Sequence, residues 1–258
     1  MTTSAAVPTW VGVALSVLLV VVAGVVVRWA RVGLGRDLLI AALRAAVQLA
    51  AVGAVLLVLF RHTGLPGALA WVTGMVLLAG QVAGRRAASA PQAALTATVA
   101  IAGGSCATLG LLLALGVIST QGRVVVPVGG MVVSGAMQAA TLTLRRVAED
   151  AVASRPQIEA RLSLGLSARE AFAPSARSAL RNALIPSIDA TRVVGLISLP
   201  GAMTGLILAG VDPLTAIRYQ IVVMYMLLAS AAITAVAATA LATRALFDDA
   251  ARLRPIPG

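Results

Sequence analysis

Long uncharged runs dominate this chain. Residues 1–27, 62–84, 87–122, 124–144, 193–211 and 219–243 carry no Asp, Glu, Arg or Lys, and 38–60 is interrupted only by Arg44. A helix of about 20 apolar residues crosses the hydrocarbon core of a bilayer. The pattern therefore predicts seven spans, at roughly 10–28, 38–60, 65–84, 92–117, 124–144, 193–211 and 215–243. The run 87–122 holds one helix and a loop, and is too short for two spans and a turn. No basic residue precedes Arg28, and the first apolar run is too long for a typical signal peptide, so it reads as a retained helix.

Composition fits the pattern. The chain is 60% hydrophobic and 11% charged, with a mean hydropathy of +0.99. A soluble domain carries about 25% charge. The fold class expected is an all-α integral membrane protein, with residues 1–258 forming one transmembrane domain.

The charges orient the spans. All twenty basic residues are arginines. Arg28, Arg31 and Arg36 follow the first span, Arg85 and Arg86 the third, eight arginines from Arg145 to Arg192 the fifth, and Arg244, Arg252 and Arg254 the last. The intervening loops hold only Arg61, Arg123 and Arg218. Cytoplasmic loops concentrate Arg, which predicts an outside N-terminus and a cytoplasmic C-terminus. The net charge of +11 then follows from topology and anionic lipid, and calls for no nucleic acid. The expected location is a bacterial cytoplasmic (inner) membrane, crossed many times. Cys106 stands alone inside a span, and His62 reads as a solvated interfacial residue. No cluster of His, Cys, Asp or Glu has metal-ligand spacing, so no metal ligand is assigned.

Residues 145–192 break the apolar pattern with eight Arg, five acidic residues and three prolines. Pro156, Pro174 and Pro186 divide the segment into expected short helices at 157–165, 167–173 and 175–185. Ser167 with Glu170 three residues later forms a capping-box pattern. The segment is too small to fold alone and suits a cytoplasmic helical hairpin that docks a partner. Arg169, Glu170 and Phe172 read as its docking knob, with the aromatic for burial and the charges for orientation.

The stretch from Glu159 to Gly165 resembles the Glu-Ala-Ala-x-x-x-Gly loop of ABC-transporter permeases, with Arg161 in place of the second Ala. The resemblance makes 145–192 a coupling loop, with Glu159 and Gly165 among its contact residues. A wider match covers roughly residues 38–247. Pro127-Val128-Gly129-Gly130-Met131, Ala183-Leu184-Ile185-Pro186, Gly195 to Gly205, and Ala209 to Leu214 resemble FetB-type permeases, bacterial iron exporters related to plant aluminium-tolerance permeases. Ser134-Gly135, Ala202 and Leu206 depart from that family's usual Gly-Asn, Met and Gln. The resemblance implies a homodimer of permease chains beside a separate ATP-binding cassette subunit, with ATP and magnesium on that subunit and no cofactor here.

Candidate path residues follow from the sixth run. Pro200 and Gly201 interrupt it, and irregular backbone at membrane depth survives only against protein or water. Met203, Thr204 and Gly205 lie beside that break, and the Gly201–Gly205 pair permits close helix packing. Met131 and Met137 are adaptable side chains that either pack or line the path. Arg44 and Gln48 share one helix face; Arg44 either reaches the headgroups or makes a polar contact inside the bundle. No Lys exists, hence no P-loop, so the chain is expected to be a transport subunit rather than an ATPase. The reading is a permease subunit of an ABC exporter of a metal ion such as iron. The alternative is a stand-alone secondary transporter driven by an ion gradient, which predicts intramembrane acids or histidines as relays; the spans contain none.

Overall fold

The computed structural model describes residues 9–31, 33–62, 64–248, 250 and 252–254. The side chains of residues 58–62, Arg61 and His62 among them, lie outside the described set. Among the described residues the chain folds into nine helices: α1 (Trp10–Trp29), α2 (Gly35–His62), α3 (Leu65–Arg86), α4 (Ala93–Ala114), α5 (Gly122–Ala153), α6 (Arg155–Ser163), α7 (Ala168–Val193), α8 (Gly201–Leu208) and α9 (Pro213–Leu246). Six of them, α1 to α5 and α9, are long and apolar enough to cross a membrane. The protein is an all-α, multi-pass membrane protein.

α3, α4, α5 and α9 pack against one another as a bundle, and α7 leans on α5 and α9. The packing depends on small residues. A Cβ added at Gly84 would overlap the backbone of Ala94, one at Gly80 would overlap Thr98, and one at Gly104 would overlap Thr234. Close backbone approach of this kind holds membrane helices together, because lipid supplies no hydrophobic drive between them. α1 and α2 stand apart: they pack on each other, and Leu56 of α2 touches the α3–α5 cluster.

Two expectations change here. The run 193–211 is not a seventh spanning helix. α7 ends at Val193, Gly195 adopts φ +84°, and its N–H donates to the carbonyl of Ser198 at 3.0 Å, closing a turn. Leu199 precedes Pro200, which biases it away from helix, and Pro200 only caps the eight-residue α8. The interruption expected at Pro200 and Gly201 is a full break. The chain instead returns from the hairpin through the second half of α7, the turn and α8.

The second change concerns Pro174 and Pro186. They do not divide the hairpin; both lie inside the continuous α7. Each removes one donor, so the carbonyls of Glu170 and Asn182 lose their helical partners, at a cost of about 3 kcal/mol in an isolated helix. Burial of Ala171, Phe172, Ser175, Ala179 and Ala183 along one face of α7 offsets that cost.

Candidate functional site: a charged hairpin and a polar groove

The hairpin begins where α5 outgrows the bilayer. Its 32 residues extend about 48 Å, against a hydrocarbon core of about 30 Å. Beyond Arg145 and Arg146 the helix continues as a charged extension, in which Arg146 pairs with Glu149 at 2.9 Å. α6 follows, stiffened by Arg155–Glu159 at 2.7 Å, and Gly165 at φ +87° makes the turn into α7. The predicted capping box is present. The Glu170 N–H donates to the Ser167 hydroxyl at 3.3 Å, and the Ser167 N–H donates back to Glu170 Oε2 at 3.0 Å. The Ser167 hydroxyl also donates to that carboxylate at 2.6 Å, and these bonds hold the Glu170 carboxyl below its ordinary range. Arg161, the departure from the loop pattern, has a structural role. Its guanidinium donates to the Ala171 carbonyl at 3.0 Å and ties α6 to α7.

Phe172 is not an exposed knob. Its side chain is 0% exposed and packs edge-on against Phe247, with ring centroids 6.4 Å apart. Ile158, Ala171, Leu246 and Leu253 belong to the same core. The chain beyond α9 folds back to build it. Phe247 bridges to Leu253, and Arg254 donates from its backbone to the Leu246 carbonyl at 2.9 Å. Asp248 accepts the Arg252 backbone N–H at 2.7 Å, which keeps its carboxyl below the usual range. An aromatic ring among charges is drawn inward because burying it is favourable and a core lies within reach. The apolar residue presented outward at the hairpin tip is Leu164, 79% exposed, with Gly165, Leu166, Arg169 and Glu170 exposed beside it. Glu159 is exposed as well.

The second feature is a groove of ≈ 620 Å³ bounded by α5, α7 and α9. Met131 lines it, with Ser134, Gln138, Ser187, Thr191 and Met224. Pro127 and Pro186 also face it. By removing a donor each, they release the carbonyls of Arg123 and Asn182 from their helices. Sequence reasoning found Met131 and passed over Gln138, Ser187, Thr191 and Met224. The signal available for them was the polar run on α5 opposite a proline of α7, readable only once the two helices are known to be neighbours.

The other path candidates are not gathered there. Pro200, Gly201, Met203, Thr204 and Gly205 lie on or beside α8, which packs on α9 away from the groove lining. The Thr204 hydroxyl donates to the Pro200 carbonyl at 3.2 Å and is used locally. A Cβ at Gly201 or Gly205 would meet open space, so this pair makes no close packing within the chain. Met137 is half-buried beside the groove's helix without lining it. Arg44 and Gln48 share a face of α2 as predicted, and both are exposed rather than enclosed in the bundle. No group of three or more His, Cys, Asp or Glu able to hold a metal occurs among the described residues.

Comparison with known proteins agrees with the resemblance in the sequence. The model of the family described as "Uncharacterised protein family (UPF0014)" matches residues 10–247. The chain is 40% identical over 223 residues to the UPF0014 membrane protein STAR2 of rice, covering 86% of this chain and 78% of that protein. It is 36% identical over 236 residues to the probable iron export permease protein FetB of Escherichia coli, covering 92% and 91%. It is 35% identical over 211 residues to the protein ALUMINUM SENSITIVE 3 of Arabidopsis thaliana, covering 82% and 77%. No solved structure matches. A match along nearly the whole membrane domain, with relatives alike over most of their own lengths, places this chain in the UPF0014 family of membrane proteins.

Proposed function

We propose that this chain is the permease subunit of an ABC exporter of a metal ion such as iron. It works in a bacterial cytoplasmic membrane as a homodimer, with the hairpin of α5, α6 and α7 docked on a separate ATP-binding cassette subunit. The chain itself hydrolyses nothing and holds no cofactor; ATP and magnesium belong to the partner. Iron is the cargo named for the Escherichia coli relative.

One observation carries the reading. The hairpin offers an exposed tip and is bolted at its root to both long helices that bound the groove. Leu164 and the Arg169–Glu170 pair face outward, while Phe172 grips Phe247 at the end of α9. A partner that moves the tip therefore moves α5, α7 and α9 together, and these three form the groove walls. Movement at the tip carries these walls as a unit toward or away from whatever faces the groove's open side. A second copy facing the groove would close its open side, so that Met131 and Gln138 of both chains face one path. Amide and hydroxyl oxygens beside released carbonyls suit a cation that sheds part of its water shell.

The test is co-purification with the ATP-binding subunit, followed by metal efflux from vesicles. Leu164→Asp and Glu159→Arg are expected to weaken association severalfold while the bundle stays folded. Gln138→Leu is expected to lower efflux and leave association intact. Association unaffected by both tip variants ends the docking role. Unchanged cellular iron in a deletion strain ends the assignment of iron.

A further inference from the structure

A cationic cleft lies between α1 and α2 and shares no lining residue with the groove or the hairpin. It has a volume of ≈ 780 Å³. Arg28 lies in the last turn of α1, Arg31 in the connecting turn, and Arg36 in the first turn of α2; all three line it. Deeper in, its walls are Val21, Val25 and Leu39. A Cβ at Gly35 would meet the Gly24 carbonyl at 3.7 Å, so the two helices approach closely beside the arginines. Arg31 is held at φ +55°, a region that non-glycine residues seldom occupy.

Arginines flanking a span ordinarily reach separately into headgroups. Here three of them converge on one concavity. Among the described residues, none of the three is ion-paired with a carboxylate. Asp37, in the first turn of α2, is exposed and does not line the cleft. Val21 lies seven residues before Arg28, about 10 Å deeper along α1. The cleft thus presents guanidinium groups above an aliphatic wall. An anionic glycerophospholipid has the matching profile, with a phosphodiester above glycerol and acyl chains. Guanidinium suits a phosphodiester because its planar donors pair with two oxygens at once.

We propose that this cleft is a binding site for one anionic phospholipid, with the phosphodiester held by Arg28, Arg31 and Arg36 and an acyl chain lying along Val21, Val25 and Leu39. The site requires neither an ATPase partner nor a metal cargo, and stands apart from the proposed function. A zwitterionic lipid fits poorly, because its ammonium group would approach three positive charges. Inorganic phosphate lacks the acyl chain that fills the aliphatic half.

The experiment uses the full chain in neutral detergent with phosphatidylglycerol or phosphatidylcholine added. Retained lipid is counted by native mass spectrometry, and the thermal unfolding midpoint is recorded alongside. The wild type is expected to retain one phosphatidylglycerol and to be stabilised by it. The triple variant Arg28→Gln, Arg31→Gln, Arg36→Gln should hold that lipid about a hundredfold more weakly, since each surface arginine contributes separately to anionic-lipid attraction. Arg85→Gln with Arg86→Gln, a pair at another helix end, should leave retention unchanged. Lysine in place of the three arginines should restore part of the binding, which also controls for misfolding. Equal loss in the Arg85/Arg86 variant would reduce the effect to bulk surface charge and overturn the proposal. So would equal retention of phosphatidylcholine, or displacement by millimolar inorganic phosphate.

Discussion

The α3–α4–α5–α9 bundle and the α1–α2 hairpin are both apolar helices of spanning length, yet only one is a packed core. α1 is the most apolar of the six candidate spans and buries none of its residues. The apolar stretch of α5 is among the least apolar of the candidate spans, and half of it is buried. In water, apolarity and burial rise together. In lipid they separate, because a leucine facing acyl chains is already satisfied. What marks the core is small side chains. Gly80, Gly84, Gly104 and Gly129 all have a neighbour where a Cβ would sit, whereas Gly53 of α2 has none within 4 Å.

The sharpest way to break this comparison is to add bulk at equivalent positions. Gly84→Val forces α3 off the Ala94 backbone, and overpacking of this kind costs about 1–3 kcal/mol or more. Its thermal midpoint in detergent should fall steeply, while Gly53→Val on α2 should move it little; equal shifts would refute the contrast. A loss at least as large is expected from Phe172→Ala at the root of the hairpin, where removal of a fully buried ring costs about 3–5 kcal/mol. Phe247→Ala should be non-additive with it, with a coupling of about 0.5–1.5 kcal/mol in a double-mutant cycle. Additive effects would mean the two rings do not support one another.

Truncation on the lipid-facing side should be milder. Val17→Ala on α1 removes a 56% exposed side chain and should change stability by less than about 0.5 kcal/mol. The smallest effect is titration at the start of α7. Bonds from Ser167 lower the Glu170 carboxyl pKa in the folded chain, so its stabilising contribution is present above the unfolded value. It is lost as pH falls through the lower folded value. Hydrogen exchange at the first turn of α7 should therefore quicken at acid pH, and Ser167→Ala should flatten that dependence.

Much of the architecture is legible in the residue pattern. Five predicted spans match α1, α2, α3, α4 and α9 within a few residues, because an uninterrupted apolar run of that length has one stable form in lipid. The span at 124–144 coincides with α5 but stops short of its end, since the helix runs on to Ala153 through charged residues. The capping box is legible because its donors and acceptors lie within four residues. The sixth span fails for the opposite reason. Hydropathy cannot see that Gly195 turns and Pro200 restarts the chain, and the two together leave only an eight-residue helix.

The site follows the same division. The exposed charges of the hairpin are evident from their spacing, while the fate of Phe172 depends on a contact 75 positions away in the chain, with Phe247. Met131 is visible as a candidate, but its companions Ser187, Thr191 and Met224 come from helices whose neighbours no local pattern names.

The sequence by itself determined that this protein lives in a membrane, roughly where its helices run, and which segment carries its charge. These properties depend on hydration, and each residue carries its own transfer free energy wherever the chain goes. Only the tertiary structure decided which apolar helices form a core, which aromatic becomes an anchor, and which polar groups share a groove. Those outcomes depend on van der Waals fit between residues distant in the chain, and a one-dimensional pattern holds no record of that fit.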